Sequence, residues 1–291
     1  MTLDKIVVSF SLKGQKYFNY GQIYVALSRC KSLGGLHILG NIERSHVRVN
    51  SKVHEEYERL RKSNCLKMPA IVRKDKKESF VISLLNIRSL VKHSIDLKFD
   101  RNINDSDLIL LTETQLLCHT DDKEIRNSLS TYTLHRQDHD SDKFCSLAIC
   151  TKENIEIEEY EYLAALNIVK FVVFDRTTQF QQRIVLLYRK QRSNIVHFLE
   201  GIRYILLSNI IDIVLGDFNI NYLNDDDIKG LKTLMDSLEY TQVVDSATFI
   251  SSGSLLDHVY VKSTVLPMIE NSVVTVYYSD HEAVKVKINL R

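Results

Sequence analysis

Between residues 80 and 288 the chain keeps returning to one unit, a short apolar run that closes on a polar group. Phe80–Asn86, Leu108–Thr112, Ile168–Phe174, Arg183–Tyr188, Ile211–Leu215, Leu256–Val261, Val273–Tyr278 and Ala283–Ile288 have the length and composition of strands. Between some of them, apolar residues recur at helical spacing, most clearly over Asn194–Asn209 and Asp226–Leu238. A strand apolar along its whole length must be covered on both faces. Alternation of such strands with amphipathic helices therefore predicts an α/β fold of stacked sheet and helix layers.

The polar closures narrow the chemistry. Asn86 ends VISLLN, Glu113 follows LILLT, and Tyr188 ends RIVLLY. Asp217 and Asn219 follow IVLG, Asp257 opens DHVYV, and Asp280 and His281 follow VVTVYYS. In extended chain, residues two apart project from the same side, so Asp217 and Asn219 point the same way. Taken alone, GDFN reads as an Asx-rich turn. Asn86 reads as a turn residue, Tyr188 as rim packing, Glu113 as a cap, Asp257 as a turn residue and His281 as a satisfied core histidine. Six such strand ends together can instead converge on one rim of a layered sheet. Acid, amide, imidazole and phenol in one place suit metal-assisted hydrolysis of a phosphodiester. Hard Mg²⁺ takes carboxylate and amide oxygens, the attacking water needs a base, and the phosphate needs donors. The remaining polar candidates, His258 and Asp225–Asp227, read as surface.

Composition excludes several classes. The apolar runs fall short of the ~18 residues of a membrane span, and MTLDKIVVSF lacks a basic n-region, so an intracellular protein with no membrane partner is expected. Cys30, Cys65, Cys118, Cys145 and Cys150 form no CxxC, which predicts reduced thiols. Net charge is +1 overall but uneven: residues 1–78 hold 16 Lys/Arg against 7 Asp/Glu, the rest 22 against 30. The sign changes near Met68–Glu78, which places a boundary there; the RKDKK run reads as solvated linker.

The ordered series LLNIRSL, LTETQL, LLYR, GDFNIN, LLDHVYV and YYSDHEAV resembles the endonuclease/exonuclease/phosphatase fold, most closely the apurinic-endonuclease-like nucleases of mobile elements. The resemblance covers residues 79–291 and implies a four-layered α/β sandwich, two packed sheets flanked by helices. It implies a Mg²⁺ site, with Mn²⁺ able to substitute, at Glu113 with Asn86 and Asp280 beside it. Asp217 matches the water-activating or leaving-group aspartate, and Asn219 the amide that fixes substrate and base. Asp257 and His281 match a carboxylate–imidazole pair at the scissile phosphate, and Tyr188 a phosphate-contacting tyrosine. The chain departs from the pattern at DKFCSLAIC, where a glycine-rich turn is usual, at Gln115, where an aromatic is frequent, and at RKQ after Tyr188, where prolines are.

Upstream, GQIYVALSRCKSLGGLHILG resembles the last motif of superfamily-1 helicases, specifically the Pif-like helicases of Helitron transposons. KIVVSFSL and GLHILGN read as strands and HEEYERLRK as a helix. The resemblance makes Arg29 and Gln22 vestigial nucleotide contacts. Gly35 and Gly40 have P-loop spacing, but Asn41 and Ile42 follow instead of Lys and Ser/Thr, so ATP turnover is not expected. The expected organisation is a helicase tail over residues 1–65, a basic linker over 66–78 and a nuclease domain over 79–291, from a truncated mobile element. The expected partner is DNA, with no small-molecule substrate, in the nucleus if the host is eukaryotic. Two rivals stand beside this reading: a phosphomonoesterase of the same fold, and a nucleic-acid-binding relic that has lost turnover.

Overall fold

The computed structural model describes residues 3–9, 27–39, 55, 77–138 and 143–290. The chain divides into two compact units, Met1–Asp75 and Lys76–Arg291. In the first, β1 (Ile6–Ser9) pairs in parallel with β2 (Leu36–Leu39), in register from Ile6 with Leu36 to Ser9 with Leu39. Both were expected as strands. The helix expected over HEEYERLRK lies outside the described residues except at Glu55.

The second unit holds two six-stranded sheets. One comprises β3 (Ser79–Asn86), β4 (Leu108–Thr112), β5 (Tyr132–Gln137), β6 (Leu147–Lys152), β13 (Ile269–Val274) and β14 (Ala283–Asn289), in the order β13-β14-β3-β4-β6-β5. The other comprises β7 (Ile155–Leu163), β8 (Ile168–Asp175), β9 (Phe180–Tyr188), β10 (Ile213–Asp217), β11 (Tyr240–Gln242) and β12 (Asp257–Lys262), in the order β11-β12-β10-β9-β8-β7. Each sheet is antiparallel except for one central pair, β3 with β4 and β9 with β10. Parallel neighbours need a crossover, which is helical in both cases. Helix α1 (Leu90–Phe99) and the single turn α2 (Arg101–Asn104) join the first pair. After the short α3 (Lys123–Ser128), α4 (Ile195–Ser208) joins the second. Helix α5 (Asp225–Ser237) follows β10.

Strand alternation builds three apolar layers from single runs. In β4, Leu108 and Leu110 face the other sheet, packed with Ile184, Leu186, Ile213 and Leu215. Ile109 and Leu111 face outward against Leu90 and Leu97 of α1. On the far side, Val185, Leu187 and Val214 meet Phe198 and Ile202 of α4 and Leu231 and Met235 of α5. The layers run helix, sheet, sheet, helix, as the runs predict. The helices start where side chains can cap them: Asn194 accepts from the Val196 and His197 amides, and Asn224 from that of Asp226. Asp225, Asp226 and Asp227 occupy the first turn of α5, where the helix dipole favours them.

One strand is displaced from its expected place. The run expected over Val273–Tyr278 is strand only to Val274, because β13 pairs with β14 from Ile269–Ile288 to Val274–Ala283. The connection between them takes up the residues that follow, so Tyr278 leaves the ladder and its hydroxyl donates to Asp100 at 3.1 Å. Strands β5, β7 and β11 and helix α1 were not read from the sequence; β7, IEIEEYEYL, is an exposed edge whose glutamates break any apolar pattern. Among the described residues no helix is long and apolar enough to cross a membrane, and Cys30, Cys118 and Cys150 are free thiols.

Candidate active site

Two parallel pairs put four strand C-termini, β3, β4, β9 and β10, in play, and the antiparallel β12 and β14 start beside them. Asp217 is in register with both Tyr188 of β9 and Asp257 of β12, so three functional groups meet across two ladders. The glycine break in IVLGDFN has a steric cause. Gly216 has φ +149, and a Cβ there would lie 1.9 Å from the Leu187 carbonyl oxygen. Only glycine admits this approach of β10 to β9, and the approach sets Asp217 against Tyr188.

Asp217 is almost sealed from solvent and fixed on both oxygens. Asn86 Nδ2 donates to its Oδ2 at 2.9 Å, and the Asn219 backbone amide donates to its Oδ1 at 2.9 Å. The contact from Asn86 joins the two sheets at this rim. Asn219, left-handed at φ +48, donates its side-chain amide to the Arg189 carbonyl at 2.8 Å. Opposite lies the pair of Asp257 and His281, with Nδ1 and Oδ2 2.8 Å apart. Phe249 packs on the imidazole at 4.9 Å between centroids. One ligand-capable atom from each of Asp217, Asp257 and His281 lies within 4.8 Å of the others.

This crowding moves protons. Burial and the Asp257 charge push the Asp217 carboxyl up to about 7, despite the imidazole and the two amides that favour its ionised form. Burial works against charge on His281, but the charge and hydrogen bond of Asp257, aided by Asp217 and Asp280, hold its pKa up at about 9. At neutral pH the imidazole is a cation, and the Asp217 carboxyl holds its proton far more tightly than an ordinary aspartate.

The other half of the rim is carboxylate and phenol. Glu113, left-handed at φ +47, is buried, and burial together with the Glu113 charge and hydrogen bond keeps the Tyr188 phenol protonated. Glu113 Oε2 has no hydrogen-bond partner, nor has Asp257 Oδ1. Arg88 Nε lies 2.9 Å from Asp280 Oδ1 and 3.6 Å from Glu113 Oε2. A buried carboxylate oxygen that no hydrogen bond satisfies, as at Glu113 beside the Asp280 carboxylate, is what a hard dication takes, so these residues fit Mg²⁺ or Mn²⁺. A cleft of about 350 Å³ opens between the halves, lined by Arg88, Glu113, Tyr188, Lys190, Asn219 and His281.

Asn86, Glu113, Tyr188, Asp217, Asn219, Asp257, Asp280 and His281 thus stand at one rim. Asn86 Nδ2 is bonded to Asp217, its Oδ1 accepts from the Arg88 amide at 3.2 Å, and its backbone carbonyl accepts from the hydroxyl of Ser279, next to Asp280, at 2.7 Å. Gln22 lies outside the described residues. Arg29 is exposed, and its carbonyl accepts from the Leu3 amide at 2.7 Å.

His258 corrects an expectation: it is not surface but fully buried. Its ring stacks on Phe218 at 4.6 Å, Nε2 lies 2.9 Å from the Ile220 carbonyl, and burial pulls its pKa down to about 4. It therefore supports the loop after Asp217 as a neutral ring. Arg189 was also missed as a distinct residue. It is buried, and its guanidinium donates to the Asn219 carbonyl at 3.2 Å and the Ser193 carbonyl at 2.7 Å. Its signal was an arginine directly after the apolar run IVLLY.

The fold and rim together define an α/β sandwich with an acid–amide–imidazole site at one edge of its sheets. Solved structures share that sandwich. The endonuclease domain of TRAS1, a telomere-specific non-LTR retrotransposon, matches with a TM-score of 0.58 and 17% identity, over 73% of this chain and 99% of that one. An AP endonuclease from Leishmania major matches at 0.57 and 14%, over 75% and 90%. An endonuclease/exonuclease/phosphatase family protein from Bacteroides thetaiotaomicron matches at 0.55 and 14%, over 72% and 97%. At such identities the likeness is one of fold. No family model matches the sequence, and no curated protein does.

Proposed function

We propose that the Lys76–Arg291 unit is a divalent-metal-dependent hydrolase of DNA phosphodiesters, acting as an endonuclease. The observation that carries this is the convergence of Asp217, Asp257 and His281, with one ligand-capable atom of each within 4.8 Å of the others, beside a cleft that His281 lines together with Glu113. Glu113 and Asp280 would hold Mg²⁺, which when bound supplies charge to offset that developing on the phosphate. Asp217 takes a proton from water as its oxygen attacks phosphorus and the bond to the leaving oxygen breaks; that oxygen leaves protonated from solvent or from Asp217 itself. Its pKa near 7 suits both directions of transfer. His281, held cationic by Asp257, donates to a non-bridging phosphate oxygen. The Asn86 and Asn219 donors keep the Asp217 carboxylate in one orientation. Lys190, lining the same cleft, adds positive charge for a polyanion.

DNA as substrate, the mobile-element origin and the helicase descent of residues 1–65 belong to this proposal and draw on the sequence resemblances. The deciding experiment is nicking of supercoiled DNA by the full chain in Mg²⁺ and in EDTA, run beside DNA binding and hydrolysis of a phosphomonoester. Mg²⁺-dependent nicking supports the proposal. Binding without nicking identifies a relic, and faster release of phosphate from the monoester identifies a phosphatase; either outcome overturns it.

A further inference from the structure

We infer that Arg88 is a resident counter-ion of the Glu113–Asp280 pair, competing with a divalent cation for the same oxygens and so weakening metal affinity; the inference rests on the metal site proposed above. Arg88 Nε is 2.9 Å from Asp280 Oδ1 and 3.6 Å from Glu113 Oε2, the buried oxygen with no hydrogen-bond partner. Its position is built by the backbone. Directly after β3, Arg88 and Ser89 take φ of +55 and +143, and the Arg88 amide donates to Asn86 Oδ1. That turn brings the arginine into the lining of the cleft together with Glu113. A non-glycine pair at positive φ is costly and persists where the surroundings hold it.

The guanidinium and the metal ion are both cations, so they compete for the same negative charge. A dication that takes Glu113 Oε2 and Asp280 Oδ1 must displace the guanidinium or accept its repulsion at close range, and either lowers affinity. The Arg88 side chain is 41% exposed, so it can withdraw to solvent without disturbing the core.

The test is Mn²⁺ binding to the full chain without DNA, read from the electron paramagnetic resonance signal of the free ion. Arg88→Gln should bind about tenfold tighter than the parent chain, the size expected for losing one charge-assisted contact. Arg88→Lys, which keeps the charge but loses the planar fork, should fall between them and serves if Arg88→Gln fails to fold. In a Glu113→Gln background the gain should vanish. Equal or weaker Mn²⁺ binding by Arg88→Gln, with binding still dependent on Glu113, overturns the inference alone. Binding that ignores Glu113→Gln, or no binding by any variant, overturns the metal site as well.

Discussion

The Asp257 carboxylate and the His281 imidazole meet at 2.8 Å although 24 residues separate them, and their side chains are 1% and 2% exposed. Asp257 opens β12 in one sheet, while His281 precedes β14 in the other. The pair therefore exists only when the sheets are packed. A carboxylate that holds an imidazole in one tautomer and charge state acts through that ring. His281→Ala should lower nicking turnover by about 10²–10³, and Asp257→Asn by less. The double variant should cost little more than His281→Ala, because the two act as a unit. Losses that multiply would separate their roles, as steady-state turnover of the three variants will reveal.

Asp217→Asn keeps the shape of the side chain and removes its proton acceptor. Turnover should fall by about 10²–10⁴ while DNA affinity holds or rises, since a negative charge beside the phosphates is gone. Nicking at the parental rate would show that Asp217 is a turn residue and no more; single-turnover kinetics and a binding titration provide the comparison.

Proton linkage gives a test independent of activity. The folded pKa of Asp217, about 7, lies above the ordinary 3.8, so its contribution to stability is full below about pH 4 and lost as pH rises through 7. That of His281, about 9 against 6.5, is full below 6.5 and lost as pH rises through 9. His258, depressed to about 4, acts with the opposite sign: its contribution is present above 6.5 and lost as pH falls through 4. Urea unfolding in EDTA should show Asp217→Asn flattening the profile between pH 4 and 7 relative to the parent, and His281→Gln flattening it between 6.5 and 9. The Asp217 window should be worth roughly 2–4 kcal/mol. Parallel profiles for parent and variants would remove the assigned protonation states.

Gly216→Ala places a methyl group against the Leu187 carbonyl at a φ that side chains rarely adopt. The expected cost is roughly 2–5 kcal/mol of stability, from backbone strain and steric overlap together. A urea midpoint close to that of the parent would mean that β10 can shift away from β9 at little cost.

The sequence by itself determined the layered fold and the identity of the strand-end groups. Runs such as LILLT and IVLG are apolar on both faces, a local property that demands covering layers, and the helical spacing of Asn194–Asn209 and Asp226–Leu238 marks two of the helices that supply them. Residues with no periodic signal escaped: the glutamate-rich β7 owes its place to pairing with β8, and His258 owes its burial to Phe218 and the Ile220 carbonyl. Only the tertiary structure decided who touches whom. Asn86 bonds to Asp217 across 131 residues, and Arg88 lies between Glu113 and Asp280 because a left-handed turn carries it there. Residue type and periodicity act over one or two turns of chain. Distances between side chains, and the proton affinities that follow from them, depend on sheet packing and burial, which no local stretch encodes.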